Sequence, residues 1–183
     1  MKQAMKWLGA SALSLMISAA GEACAATNDW YAGISGDVSW LNGHYHTGGG
    51  GNVDLGYRFA PTNMGDWRLE GEIGYHTFGG DSGYKDAHYY SYMGNLYYDI
   101  GGWNMGMAKS LQITPYLGAG LGDATVDKSG HSNSFAYQGM AGLNFTSASM
   151  PNVDWSLGYR YFATSGNSSV HANNIEAGVK FHF

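Results

Sequence analysis

Two carboxylates two residues apart, Glu70 and Glu72, are the first candidates for chemistry, because such a pair can divide general-acid and general-base work when it flanks an accessible substrate. Both sit in an alternating segment that turns them to the same face of a strand. In a small barrel that face is a narrow lumen with no room for a substrate, so the pair is read as structural. A second motif, Gly118-Ala119-Gly120-Leu121-Gly122, has a surface likeness to a dinucleotide-binding glycine run. That chemistry needs a strand turning into a helix, and no helical period follows these glycines. They are read instead as space for bulky neighbours such as Tyr97, Met140 or Arg160.

Histidines offer a third possibility. His44, His46, His88, His131 and His171 fall one or two to each expected outer loop. Neutral imidazole binds Zn²⁺ or Cu²⁺ and titrates near about pH 6.5, so a metal site or a pH-sensitive rim is one reading. Polar loop residues without common geometry are the other, and the preferred one. No catalytic, cofactor-binding or metal-binding residue is assigned.

The most informative chemistry is a set of charges on the polar halves of the alternating segments. Seven acids, Asp37, Asp54, Glu70, Glu72, Asp99, Asp154 and Glu176, share that face with four bases, Arg58, Arg68, Arg160 and Lys180. Charge held away from water must be paired or neutralised, and the excess of acids requires at least one carboxyl to be protonated or hydrated. Folding a hairpin at 165–172 sets Arg160 level with Glu176. One at 79–88 sets Arg68 level with Asp99. A turn at 60–66 brings Asp54 near Glu72 and Arg58 near Arg68, so Arg58 is expected to pair diagonally with Glu70. A charged plug follows as the preferred reading, and a gated proton or cation path as its rival.

The elements that must position these charges are strands. Apolar residues recur at every second position, as in Trp67, Leu69, Gly71, Ile73 and Tyr75 against Arg68, Glu70, Glu72, Gly74 and His76. Eight such segments can be counted, beginning near Trp30, Asn52, Trp67, Tyr90, Leu111, Phe135, Val153 and Asn174. The expected outer loops are 42–50, made flexible by Gly48 to Gly51, then 79–88, 127–134 and 165–172. The expected periplasmic turns are 60–66, 101–110 and 146–152. Aromatics cap the apolar faces: Trp30, Trp40, Phe59, Trp67, Tyr90, Phe135, Phe145, Trp155 and Phe183 form two expected interfacial girdles. A soluble lipocalin-like barrel also alternates, but its outward face would be charged.

Composition agrees. The 183 residues hold 29 glycines and only 13% charged residues, against about 25% in an ordinary soluble domain. Residues 1–25 read as a cleaved signal peptide, with Lys2 and Lys6 before an apolar run and Ala23-Cys24-Ala25 as the cleavage pattern. Cleavage would remove the single cysteine and leave seven Lys plus Arg against thirteen Asp plus Glu. Disulfide frameworks and nucleic-acid binding are thereby excluded. The fold class is an all-β, eight-stranded antiparallel up-and-down transmembrane β-barrel over residues 26–183.

Several segments resemble the opacity-protein-like outer-membrane β-barrel family, the porin-family surface antigens of Gram-negative bacteria. They are Trp30-Tyr31-Ala32-Gly33, Leu69 to Tyr75, Thr114 to Gly122, Phe135-Ala136-Tyr137-Gln138 and Leu157 to Phe162. The resemblance implies an outer-membrane location, contact with membrane lipid and lipopolysaccharide, an unknown surface partner, and insertion by the outer-membrane assembly machinery through a terminal strand ending in Phe181 and Phe183. Members are described as adhesins, immune-evasion antigens, small pores or structural proteins, and the short loops here fit an adhesin of the opacity type poorly. His131-Ser132-Asn133 is similar to the His-x-Ser-Asn segment of lipid A deacylases, but His131 and Ser132 are adjacent and no acid follows to orient a base. The expected role is therefore non-enzymatic, structural or surface-interacting, with a low-conductance channel for ions or small solutes as the alternative.

Overall fold

The computed structural model describes residues 30–41, 45–59, 64–80, 87–101, 111–127, 131–165 and 170–183. The expected signal peptide and His44 lie outside them. Eight strands follow in chain order: β1 (Trp30–Leu41), β2 (Tyr45–Arg58), β3 (Gly65–Gly80), β4 (Ala87–Ile100), β5 (Leu111–Asp127), β6 (His131–Ser147), β7 (Met150–Thr164) and β8 (His171–His182). Each pairs antiparallel with its sequence neighbour, and β1 pairs with β8 to close the barrel. Closure leaves no sheet edge to satisfy, which is what makes strands viable in hydrocarbon. β1 begins and β8 ends at one mouth, where the Phe183 amide donates to the Trp30 carbonyl at 3.0 Å. That mouth is here the terminal end, and the opposite one the far end.

Burial separates the two faces in the sense opposite to a soluble sheet. On β3, Trp67, Leu69 and Ile73 are 48%, 53% and 58% exposed, whereas Arg68, Glu70 and Glu72 between them are buried. Outward Leu96, Leu117, Leu121, Leu157 and Ile175 repeat this around the wall. An apolar wall around a polar interior is stable when the surrounding solvent is lipid, and a lipocalin-like soluble barrel is excluded by it.

Aromatic side chains gather at both ends of this wall. Trp30, Trp67, Phe145 and Trp155 stand on the strands near the terminal end, with Phe59 and Phe183 just beyond the ends of β2 and β8, and Trp40, Tyr90 and Phe135 stand toward the far end. Tyr57, Tyr98 and the exposed Phe181 extend the first set, and Tyr75 extends the second. Neighbouring rings touch, with centroids 5.2 Å apart for Trp30 and Tyr57, and 4.8 Å for Trp67 and Tyr98.

The strands are longer than the alternation alone indicates, so several expected connections are corrected: β2 begins at Tyr45, inside the expected loop 42–50; β6 begins at His131, inside 127–134; and β6 runs to Ser147 with β7 starting at Met150, inside 146–152. Gly48 to Gly51 belong to β2, aligned with Ser39 to Gly36 of β1 and Phe78 to Tyr75 of β3. The reason is close approach rather than a turn. A Cβ at Gly50 would lie 2.2 Å from the His76 ring, and one at Gly48 2.3 Å from Phe78. Without side chains, these positions let two large rings enter the lumen. Gly65 opens β3 at φ 145°, a conformation that glycine tolerates.

Candidate functional site

The lumen is layered along the barrel axis. At the terminal mouth, Asp154 of β7 accepts hydrogen bonds from the Thr146 hydroxyl at 2.5 Å and from Arg58 Nη2 at 3.1 Å, and lies 2.8 Å from His182 Nε2. Next to it, Asp99 of β4 receives a two-point contact from Arg68, with Nε at 2.7 Å and Nη2 at 2.9 Å, and a third bond from Asn144. A two-point guanidinium–carboxylate contact fixes orientation as well as charge. All of these groups except Arg68 border a cleft of about 320 Å³.

In the middle layer Arg160 of β7 reaches across the lumen to Glu72 with both terminal nitrogens, at 2.6 and 2.8 Å, and to Glu176 of β8 at 2.6 Å. Glu70 lies 3.4 Å from Lys180 Nζ and accepts from the buried Tyr31 hydroxyl at 2.9 Å. Amides knit the carboxylates together: Gln138 donates to Asn95 at 2.7 Å, and Asn95 to Glu72 at 3.2 Å. Arg68 also lies over the Tyr97 ring, 4.7 Å from its centroid. Both Glu70 and Glu72 are thus buried and engaged by partners, which leaves no open carboxylate pair for acid–base work.

Above this layer His76 Nε2 meets Asp37 at 2.7 Å, and the Ser39 hydroxyl donates to the same carboxylate. The His76 ring stacks on Tyr89 at 4.6 Å. From there to the far end rings and small apolar side chains fill most of the lumen, with the buried hydroxyls of Ser134 and Thr164 among them. Tyr89 stacks on Phe162 at 4.9 Å and 7°, Phe78 follows Tyr89 at 5.9 Å, and Met93, Ala124, Ala136, Val170 and Ala172 complete the cluster.

The eleven charges singled out in the sequence all stand on strands facing this lumen; two of the expected pairs, Arg160 with Glu176 and Arg68 with Asp99, form, and the third does not. Arg160 aligns with Asn174 and Arg68 with Tyr97, so each meets its expected acid, Glu176 or Asp99, from two residues away. Arg58 does align with Arg68, and Asp54 with Glu72. Arg58 nevertheless pairs with Asp154, not with Glu70. Closure of β1 on β8 places β7 three strands from β2, within reach of a long guanidinium side chain across a narrow lumen. Among the described residues Asp54 has no cation within ion-pair distance, and its Oδ1 lacks a hydrogen-bond partner. Asp37 pairs with a histidine.

Further polar residues, among them Tyr31, His76, Asn95, Gln138 and His182, join the network. Their signal was present, since the period of two puts each on the same face as the charges. The Gly118 to Gly122 run lies within β5, and a Cβ at Gly118 would come 2.5 Å from Tyr97 and 3.0 Å from Met140. At Gly120 the space goes to Asn95 and Gln138. Of the loop histidines, His88 lies 3.2 Å from the Tyr75 hydroxyl and His171 3.0 Å from that of Tyr161. The side chains of His46, His131 and Ser132 lie outside the description. Among the described residues no three His, Cys, Asp or Glu side chains converge as a metal site.

Comparison with known proteins agrees with this geometry. Residues 10–183 match the family model described as the outer membrane protein beta-barrel domain. No curated protein sequence matches. Among solved structures, Neisserial surface protein A is similar at 23% identity and a TM-score of 0.65, over 85% of this chain and 97% of that one. The outer membrane enzyme PagL follows at 16% identity and 0.53, over 82% and 99%. The outer membrane protein OprG from Pseudomonas aeruginosa is similar at 16% and 0.50, over 85% and 97%. At these identities the likeness is one of fold.

Proposed function

The chain belongs to the outer membrane protein beta-barrel domain family and is an eight-stranded barrel of the Gram-negative outer membrane, and from that premise we propose that it is a non-conducting, non-enzymatic barrel with a structural or surface-interacting role. The observation that carries this reading is the stack of Phe78, Tyr89 and Phe162 across the far lumen. Rings packed across the lumen support a closed path, and the ion pairs beneath them hold the charges that a conducting pore would need free. Export through a leader at residues 1–25 and insertion signalled by Phe181 and Phe183 belong to the same reading. So do contact with lipid and lipopolysaccharide through the apolar wall, and display of short loops to a surface partner.

A low-conductance channel is the alternative, supported by the cleft at the terminal mouth. Potassium efflux from lipid vesicles containing the refolded barrel separates the two readings: efflux at the rate of protein-free vesicles is expected, and efflux proportional to protein would sink the first. PagL is described as an enzyme. In this chain every lumen carboxylate of the middle layer except Asp54 has a cation or hydroxyl partner, which supports a non-enzymatic reading. Mass spectrometry of lipid A from cells with and without the protein is expected to show identical acyl chains, and a lost or added chain would contradict it.

A further inference from the structure

Protein groups alone do not satisfy the polar interior of the lumen. Among the described residues eight buried side-chain nitrogen or oxygen atoms have no hydrogen-bond partner. Five of them belong to four residues: Asn52 Oδ1, His76 Nδ1, Arg160 Nε, and both Nδ2 and Oδ1 of Asn174. None of the four residues is more than 4% exposed. They gather around Asp37 of β1 and Glu176 of β8, which lie directly across from each other. Asp37 lies 2.7 Å from His76 Nε2, while Glu176 lies 2.6 Å from Arg160 Nη2 and accepts from Asn52 Nδ2 at 3.4 Å. Asn174 stands one inward step beyond Glu176, aligned with Ser39 on one side and with Arg160 on the other. The partnered atoms of His76, Arg160 and Asn52 thus converge on two facing carboxylates, and their remaining polar atoms share that part of the lumen with Asn174.

Buried polar atoms are nearly always hydrogen-bonded, because each has lost its bonds to bulk water. This set mixes donors, Arg160 Nε and Asn174 Nδ2, with acceptors, Asn174 Oδ1 and Asn52 Oδ1, and His76 Nδ1 can serve as either. An ion of one sign suits only half of them, and both carboxylates already have His76 or Arg160. Water donates and accepts at once, and a buried water makes about three hydrogen bonds. We propose that this part of the lumen binds ordered internal water, on the order of two molecules, shared by Asn174, Arg160, Asn52 and His76. Such water hydrates the facing Asp37 and Glu176 from inside the barrel. It lies beside the His76 ring, on which Tyr89 and then Phe162 stack, and needs no path through the molecule.

Water-selective NOE and ROE spectra of the full-length chain, refolded in deuterated detergent micelles with ¹⁵N-labelled arginine, asparagine and glutamine, test the proposal. Water cross-peaks of opposite sign in the two spectra, which separate bound water from chemical exchange, are expected at Arg160 Hε and at the Asn174 side-chain amide. Gln138, whose amide donates to Asn95 and Glu72, should show none. Ser39→Ala removes the hydroxyl aligned with Asn174, so peaks that survive it come from water and not from a relayed hydroxyl proton. Asn174→Leu replaces both of its unpartnered atoms with apolar ones and should cost the Arg160 Hε peak most of its intensity. Heat-modifiable gel migration verifies that each variant is folded. The proposal is overturned if the folded parent shows no such peaks, if Gln138 shows one of equal intensity, if Ser39→Ala abolishes them, or if folded Asn174→Leu leaves the Arg160 peak at full intensity.

Discussion

The far and terminal halves of the lumen are lined by the same face of the same eight strands, yet one is filled by stacked rings and the other by paired charges. Phe78, Tyr89, Met93 and Phe162 occupy the far half among alanines. Arg58, Arg68, Asp99 and Asp154 occupy the terminal half beside an open cleft. The difference shows that the face turned away from lipid is an interior, not a polar surface. Rings fill such an interior by dispersion and burial, whereas ionisable groups are tolerated there only when paired or neutralised. The two halves should therefore fail differently: removing a ring opens space, and removing one charge strands another.

The largest effect is expected in the charged part. Arg160→Ala leaves Glu72 and Glu176 buried without their cation, at a cost of about 3–5 kcal/mol in urea unfolding of the barrel in lipid vesicles. Adding Glu72→Gln and Glu176→Gln to that variant should recover part of the loss. In the ring half, Phe162→Ala should cost about 3 kcal/mol by the same measurement, from lost burial and the cavity left behind. If both single variants lost less than the girdle variant below, the layered description would be wrong. At the terminal mouth, Asp154→Asn keeps the shape but weakens the bonds from Arg58 and His182, for about 1–2 kcal/mol. Least affected is the outer wall: Trp67→Ala removes a ring contact with Tyr98 and should cost about 1 kcal/mol, detectable as a small shift of the urea midpoint.

Much of this architecture was legible because alternation is a local property. Eight segments, their inward charges and their outward aromatics follow from a period of two that each strand carries by itself, and the family resemblance pointed to the same barrel. What depended on distant neighbours was not legible. Gly48 to Gly51 look like a flexible loop until His76 and Phe78, some thirty residues on, are known to need the space. The Arg58–Asp154 pair spans 96 residues and exists only because the sheet closes. A shift of two residues in the β3–β4 and β7–β8 registers keeps every side chain on its face but changes which acid lies level with which base. Phe78, Tyr89 and Phe162 were on the inward face by parity alone, but their stacking is a property of three strands at once.

Single-channel recording in planar bilayers, run on the parent barrel and on a Phe78→Ala/Phe162→Ala variant, sets the two halves of the lumen against each other. The parent should give no conductance steps, because the rings stop ions that the charged half could admit. The double variant should give small, defined steps. Defined steps from the parent protein would contradict the account.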